Sequence, residues 1–203
     1  MINKPQPLLI ILSAPSGTGK TTLCHMLTDW NHSLVRSISC TTRPPRGHEV
    51  HGKDYYFISE DEFEKLASEN RFLEYANVHG YMYGTLKDNV LSAWANNKHV
   101  ILVIDVQGAR QVREAFQNKN NVDLRGGRLV DIFIAPPSLS VAAERIRARG
   151  EDSEEAILQR IKTAESEIAA SSEYKYIVVN DSLQRAFDEL KQIIEMELSR
   201  SLH

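Results

Sequence analysis

Cysteine is scarce: Cys24 and Cys40 are the only two in 203 residues. Two thiols cannot build a disulfide framework, and without a C-x-x-C spacing they cannot found a zinc site. A reducing, cytoplasmic compartment is the expectation. Long apolar runs are also missing. The N-terminal run Leu8-Leu9-Ile10-Ile11-Leu12 falls far short of the roughly 20 residues that span a bilayer. It lacks a charged n-region and a credible cleavage site, so it reads as a buried strand. Neither sign of charge is in excess, with 24 Lys and Arg against 27 Asp and Glu and a formal net charge of −3. That balance argues against a general nucleic-acid or polybasic membrane binder while leaving room for a local basic pocket. His48 and His51 stand three apart with no further His or Cys ligand, as expected of a solvated loop rather than a metal site.

What remains is an ordinary globular composition, 42% apolar and 25% charged. At this length it suits one domain, or a core with small appendages, and a core that needs no covalent staples. Strand-like and helical patterns alternate along the chain. Leu8–Ser13, His99–Asp105, Leu129–Ala135 and Tyr176–Asn180 read as strands, the first three as continuous apolar runs of the kind buried in a parallel sheet. Leu23, Met26, Leu27 and Trp30 follow helical spacing, as do Ala109, Val112 and Phe116, and Phe187, Leu190, Ile194 and Leu198. The alternation predicts an α/β fold, a three-layer core around a parallel sheet.

Two segments interrupt the rhythm. The first, 39–92, opens with the Pro/Gly/Arg-rich stretch TTRPPRGHEVHGKDYYF. It predicts a strand at Tyr55–Ile58, a helix capped by Ser59 with Glu62, a turn at Tyr81–Thr85, and a helix capped by Thr85. The second, 139–170, predicts two helices, with Arg145 and Arg149 on one face of the first, Gly150 at its end and Ser153 capping the second. The core is then discontinuous: 1–38, 93–138 and 171–203.

Strand Leu8–Ser13 runs into Ala14-Pro15-Ser16-Gly17-Thr18-Gly19-Lys20-Thr21-Thr22 and then a helix. This strand–loop–helix context marks a phosphate-binding loop. Two glycines allow the amides to turn inward, the helix start favours an anion, Lys20 reaches phosphates, and the Thr21 hydroxyl suits Mg²⁺. Ala14 stands where the strict pattern has glycine. Asp105, at the end of HVILVID, suits either Mg²⁺ through water or the acceptor.

Further motifs follow in order: Ser39-Cys40-Thr41-Thr42-Arg43-Pro44-Pro45-Arg46, Gly52-Lys53-Asp54-Tyr55, Phe72-Leu73-Glu74, Tyr83-Gly84-Thr85 and Asp105-Val106-Gln107-Gly108. With the phosphate loop, this set resembles the guanylate kinase family over nearly the whole chain. The resemblance implies a P-loop kinase that moves the γ-phosphoryl group of ATP to GMP, and in all expectation dGMP, with Mg²⁺, in purine nucleotide metabolism and GMP recycling. It casts 39–92 as a GMP-binding insert of mixed α and β structure and 139–170 as a helical lid. Arg43 and Arg46, helped by Tyr55 and Tyr83, would clamp the GMP phosphate. Glu74 would read guanine, with Ser39 and Thr85 adding hydroxyl contacts. Arg145, Arg149 and Arg160 would close over ATP, and Lys20 and Arg43 would share in catalysis. Asn180 would touch ATP, or simply cap the strand-to-helix turn. The expected partners are small-molecule nucleotides, with no nucleic acid and no membrane; homo-oligomerisation stays open.

Two departures from the family pattern stand out. Val103 occupies a position where the family often has a second acid, and Gly47-His48-Glu49 shifts the usual Gly-Glu order. Two other functions fit the same fold: a non-catalytic binding module and a kinase of another phosphorylated acceptor. A module would have a damaged loop, whereas Lys20, Thr21, Arg43 and Arg46 are all present. Glu74 with two tyrosines favours a nucleotide acceptor over a sugar phosphate.

Overall fold

A computed structural model describes residues 6–78, 80–118, 122–148 and 154–200. Its core is a five-stranded parallel sheet built from β1 (Leu8–Ser13), β2 (Leu34–Arg36), β7 (His99–Val103), β8 (Arg128–Ala135) and β9 (Tyr176–Val179). The spatial order is β2-β7-β1-β8-β9. β1 sits centrally and pairs with β7 on one side and β8 on the other, with Leu9 opposite Val100 and Leu129. All six of its residues are buried, which is why it reads as an uninterrupted apolar run.

Helices cover both faces, giving three layers. Alternation along β1 splits its side chains between two cores. Leu8, Ile10 and Leu12 pack with Leu23 and Leu27 of α1 (Lys20–Trp30) and with Leu190 and Ile194 of α7 (Leu183–Arg200). Leu9 and Ile11 pack on the opposite face with Val90 and Trp94 of α3 (Lys87–Ala95) and Ala109 and Val112 of α4 (Val106–Gln117).

A second sheet, β4-β3-β6-β5, joins β3 (Cys40–Thr41), β4 (Tyr56–Phe57), β5 (Phe72–Val78) and β6 (Tyr81–Leu86). It packs on α2 (Glu60–Ser68) around Cys40, Phe63 and Phe72, with the Phe63 and Phe72 rings stacked at 4.5 Å. The Ser59 hydroxyl accepts from the Glu62 amide at 3.2 Å, as the capping pattern requires. Finally α5 (Leu139–Arg147) and α6 (Glu154–Ala169) pack through Ile146, Ile157 and Ala164.

The structure corrects the sequence reading in several places. Tyr81–Thr85 is not a turn but most of β6, paired antiparallel with β5, Tyr83 opposite Ala76. Its alternation was masked by Gly84 and by the polar Thr85. Thr85 therefore caps no helix: α3 begins after Leu86 with no side-chain cap. β7 stops at Val103, and Asp105 begins α4 instead of ending the strand. The three-residue β2 was too short to show a pattern. Arg149, Gly150 and Ser153 lie outside the described residues.

Candidate active site

The phosphate loop, 14–19, is shaped by two residues in the left-handed region, Gly17 (φ 84°) and Gly19 (φ 82°). A side chain at either would be strained there. The Thr18 hydroxyl donates to Pro15 O at 2.7 Å, closing the turn. The loop is braced from the far end of the chain, where the buried Asn180 amide donates from Nδ2 to Thr18 O at 2.8 Å. Arg145 of α5 donates from Nη2 to Asn180 O at 3.1 Å, and its Cβ lies 3.5 Å from where a Gly17 side chain would begin. Loop, strand β9 end and α5 are thus linked in series. Lys20 donates from Nζ back to Ala14 O.

Beside the loop opens a cleft of about 470 Å³. Ser16 and Lys20 form one wall, Arg46, Tyr81 and Tyr83 another, and Arg160, Thr163 and Glu167 of α6 a third. Asp105 and Gln107 line it from the start of α4. Residues from four distant parts of the sequence meet here. Thr21 and Thr22, expected on the metal and nucleotide, are exposed in the first turn of α1 and do not line this cleft.

The two expected phosphate-clamp arginines part company. Arg46 lines the cleft and is exposed. Arg43 is buried, 5% exposed, and its fork is largely engaged. It donates from Nη2 to both Glu49 carboxylate oxygens at 2.8 and 2.9 Å, from Nε to Tyr83 Oη at 2.9 Å, and from Nη1 to Pro44 O at 2.9 Å. Its guanidinium also lies 5.5 Å from the centre of the Tyr55 ring. Tyr55 and Tyr83 meet edge to face at 5.8 Å. Burial opposes charge on both partners of the Arg43–Glu49 pair. Their mutual hydrogen bonds outweigh it, so the Glu49 carboxyl stays below its ordinary range. Glu49 was missed in the sequence. It also accepts from the Arg46 amide at 2.7 Å, closing a one-turn R-x-x-E loop that its spacing could have revealed.

Glu74 is buried, 4% exposed, between β6 and α4. Its Oε1 accepts from the Thr85 hydroxyl at 2.6 Å. Burial pushes its carboxyl up to about 7, the Thr85 bond pulls the other way, and the Asp105 charge adds to the rise. Gly108 makes this placement possible: a Cβ there would overlap Glu74 Oε2. Asp105 accepts at Oδ1 from Gly108 N at 2.8 Å and at Oδ2 from Gln107 Nε2 at 3.1 Å. It is a helix cap as well as a cleft residue, a role that D-x-x-G before an apolar helix face could have signalled. Ser39 stands apart: its backbone O accepts from Tyr56 N, and its side chain does not line the cleft.

The oxygen-only donors Asp105 and Thr21 suit a hard divalent cation carried in on phosphates. No group of three or more His, Cys, Asp or Glu that could hold a metal occurs among the described residues. Neither thiol is a nucleophile candidate: burial pushes Cys24 to about 12 and Cys40 to about 11.

Comparison with known proteins is decisive at this point. The guanylate kinase family model matches residues 6–197. The chain belongs to the guanylate kinase family. A guanylate kinase of Geobacter sulfurreducens is 46% identical over 98% of this chain and 93% of that relative. One from Caldanaerobacter subterraneus subsp. tengcongensis is 44% identical over 97% of this chain and 91% of its own. The crystal structure of guanylate kinase from Anaplasma phagocytophilum superposes with a TM-score of 0.74 at 31% identity, covering 98% of this chain and 89% of that one.

Proposed function

We infer that this protein transfers the γ-phosphoryl group of ATP to GMP, giving ADP and GDP. The observation that carries this reading is the cleft. Phosphate-loop Lys20 faces Arg46 and Tyr83 of the second sheet and Arg160 of α6 across one space. Such a site brings two anionic nucleotides together rather than holding one.

The acceptor is a phosphate oxygen, ionised near neutral pH because its second pKa is about 6. No general base is needed, so the absence of a Ser/His/Asp set is no objection. The work is positioning and charge compensation. In this reading the amides of 14–19 cradle the donor phosphates, and Lys20 leaves Ala14 O to meet them. Arg46 takes the acceptor phosphate directly. Arg43 acts from behind: because its Nε–H donates to Tyr83 Oη, the Tyr83 hydroxyl keeps its own proton for the acceptor. Arg145 and Arg160 bring positive charge from the 139–170 segment, the proposed lid, over the 39–92 acceptor segment. Arg149 would join them in this reading.

Thr21 directly, and Asp105 through water, are the residues that would hold Mg²⁺ with the phosphates. When bound, the ion neutralises the transferring charge. Glu74 reads the base: an ionised carboxylate accepts from guanine N1–H and the exocyclic amine, whereas adenine presents an acceptor at N1. Thr85 fixes the orientation of that carboxylate, and Asn180 supports the loop beneath ATP. No described helix is long and apolar enough to cross a membrane; small-molecule partners and a cytoplasmic setting belong to the same reading.

The test is a coupled ADP-production assay across GMP, dGMP, AMP, UMP, dTMP and sugar phosphates. GMP, with dGMP behind it, is the expected substrate. Robust turnover of AMP without GMP would remove Glu74 from base recognition. Small-angle scattering adds a check on closure: both nucleotides together should compact the molecule, and no compaction would remove the lid.

A further inference from the structure

One carboxylate lining the cleft has no part in the reaction as described. Glu167 lies on α6, four residues after Thr163 and seven after Arg160, and all three line the same wall. The packing face of this helix is a different one, made by Ile157, Ile161 and Ala164 against Ile146. Glu167 is therefore not placed by the need to cover a core. It is half-buried, and Lys20 and Asp105 share its cleft. A smaller adjoining cavity of about 270 Å³ is again lined by Asp105, Thr163 and Glu167.

A bare carboxylate here is at odds with a cleft that must admit phosphates. Its charge is tolerable only if a cation is held against it. Burial pushes the Glu167 carboxyl up to about 7, the Lys20 ammonium favours its charged form, and Asp105 opposes it. Lys20 is the cation best placed to compensate it, reaching from the phosphate loop on a flexible four-carbon stem. In this structure its Nζ is folded onto Ala14 O.

We propose that Glu167 is a positioning residue for phosphoryl transfer, acting through Lys20 to hold the ammonium out in the cleft against the donor phosphates. Glu167 belongs to the arginine-bearing 139–170 segment, so the pairing also ties the placement of α6 to the readiness of the loop. The inference rests on the assignment of Lys20 to the donor phosphates.

A double-mutant cycle of Lys20→Met and Glu167→Gln tests it. ADP affinity is read by displacement of a fluorescent ADP analogue, and steady-state kinetics and melting temperature are measured alongside. With Lys20 present, Glu167→Gln should lower kcat about tenfold and weaken ADP several-fold, leave the KM for GMP unchanged, and melt no lower than the parent. Glu167→Asp should recover part of the loss. In the Lys20→Met background Glu167→Gln should have no effect on ADP, or strengthen binding by removing a repelling charge. Equal losses in both backgrounds would mean that Glu167 does not work through Lys20, as would an unchanged kcat in the single variant, and either result overturns the proposal alone. Unchanged ADP affinity in Lys20→Met would instead overturn the assignment of Lys20, and the proposal with it.

Discussion

Glu74 and Glu197 are equally hidden, 4% and 3% exposed, and oppositely treated. Glu197 sits under β8 and β9 on α7, where its oxygens accept from Arg128, Lys175, Tyr176 and Arg200. Burial raises its pKa, but the Lys175 and Tyr176 hydrogen bonds and the nearby cations prevail and hold it below the usual carboxylate range. Glu74 has one side-chain donor, Thr85, and an acidic neighbour, and is pushed to about 7. A carboxylate that serves the fold is satisfied by the fold. One left short of donors is completed by something else, in the proposed reading the two N–H groups of guanine. The cost of burying an unpaired charge makes that difference informative.

The sharpest way to break the contrast is to take the two carboxylates away in turn. Glu74→Gln puts an amide N–H where guanine presents donors, and kcat/KM for GMP should fall roughly 100-fold or more. The melting temperature should hold or rise, because a costly buried charge is gone. Gly108→Ala should reach much the same activity loss with Glu74 itself unchanged, since the new Cβ displaces Glu74 Oε2. Wild-type activity in either variant, measured by coupled assay, would end the base-reading role.

Glu197→Gln should do the reverse. It strands Arg128, Lys175 and Arg200 near one another with no anion between them. Charged hydrogen bonds of this kind are worth about 2 kcal/mol net, which for a chain of this size lowers Tm by roughly 4–8 °C. Kinetic constants for both nucleotides should stay put. A variant that melts normally but turns over slowly would show that the ion cluster communicates with the cleft.

How much of this was legible in the sequence follows from how local each feature is. The phosphate loop was readable because strand, glycines, Lys20 and helix are consecutive, and the parallel sheet because Leu8–Ser13 is apolar at every position. Arg43 and Arg46 were found by motif, but not their different placement. That Arg43 is locked behind Tyr83 while Arg46 enters the cleft depends on Glu49, which a shifted Gly-Glu order had set aside. Tyr81–Thr85 was misread because Gly84 mimics turn chemistry, while β5 just before it and β3, far back in the chain, supply the pairing that makes it a strand. Glu167 was invisible for a different reason. On a helix rich in exposed glutamates, only the way α6 lies over the start of α4 separates a cleft carboxylate from a solvated one.

The pH dependence sharpens the comparison more gently. Glu74 must be ionised to accept from guanine, so below about pH 7 log kcat/KM for GMP should fall with slope approaching one, up to tenfold per unit. The acceptor phosphate adds a second limb near pH 6. Glu74→Gln should retain only that second limb. Stability runs the other way. A folded carboxyl pushed from 4.5 to about 7 holds its proton more tightly than the unfolded chain does. Its contribution is complete below about pH 4.5 and lost as pH rises through 7. Glu197, held low, contributes above the ordinary carboxylate range and loses that contribution as pH falls. Relative to wild type, Glu74→Gln should therefore gain in melting temperature as pH rises from 4.5 to 7.5, and Glu197→Gln should close its deficit as pH falls below 4.5.

The smallest effect expected is at Thr85. Its hydroxyl is the single side-chain donor to Glu74 among the described residues, at 2.6 Å, and it stabilises the ionised form. Thr85→Val keeps the β-branched shape that β6 packs with and removes only the hydrogen bond, a change of about 1–2 kcal/mol in favour of the protonated carboxyl. The activity limb assigned to Glu74 should then move up by about one pH unit. At pH 7 kcat/KM for GMP should drop several-fold, while at pH 9, where the carboxyl is ionised regardless, most of the difference should vanish. Thr85→Ser, which keeps the hydroxyl, should stay close to wild type across the range. A loss in Thr85→Val that is the same at pH 7 and pH 9 would mean that Thr85 touches the base itself and that Glu74 owes its orientation to Gly108 and the helix start alone.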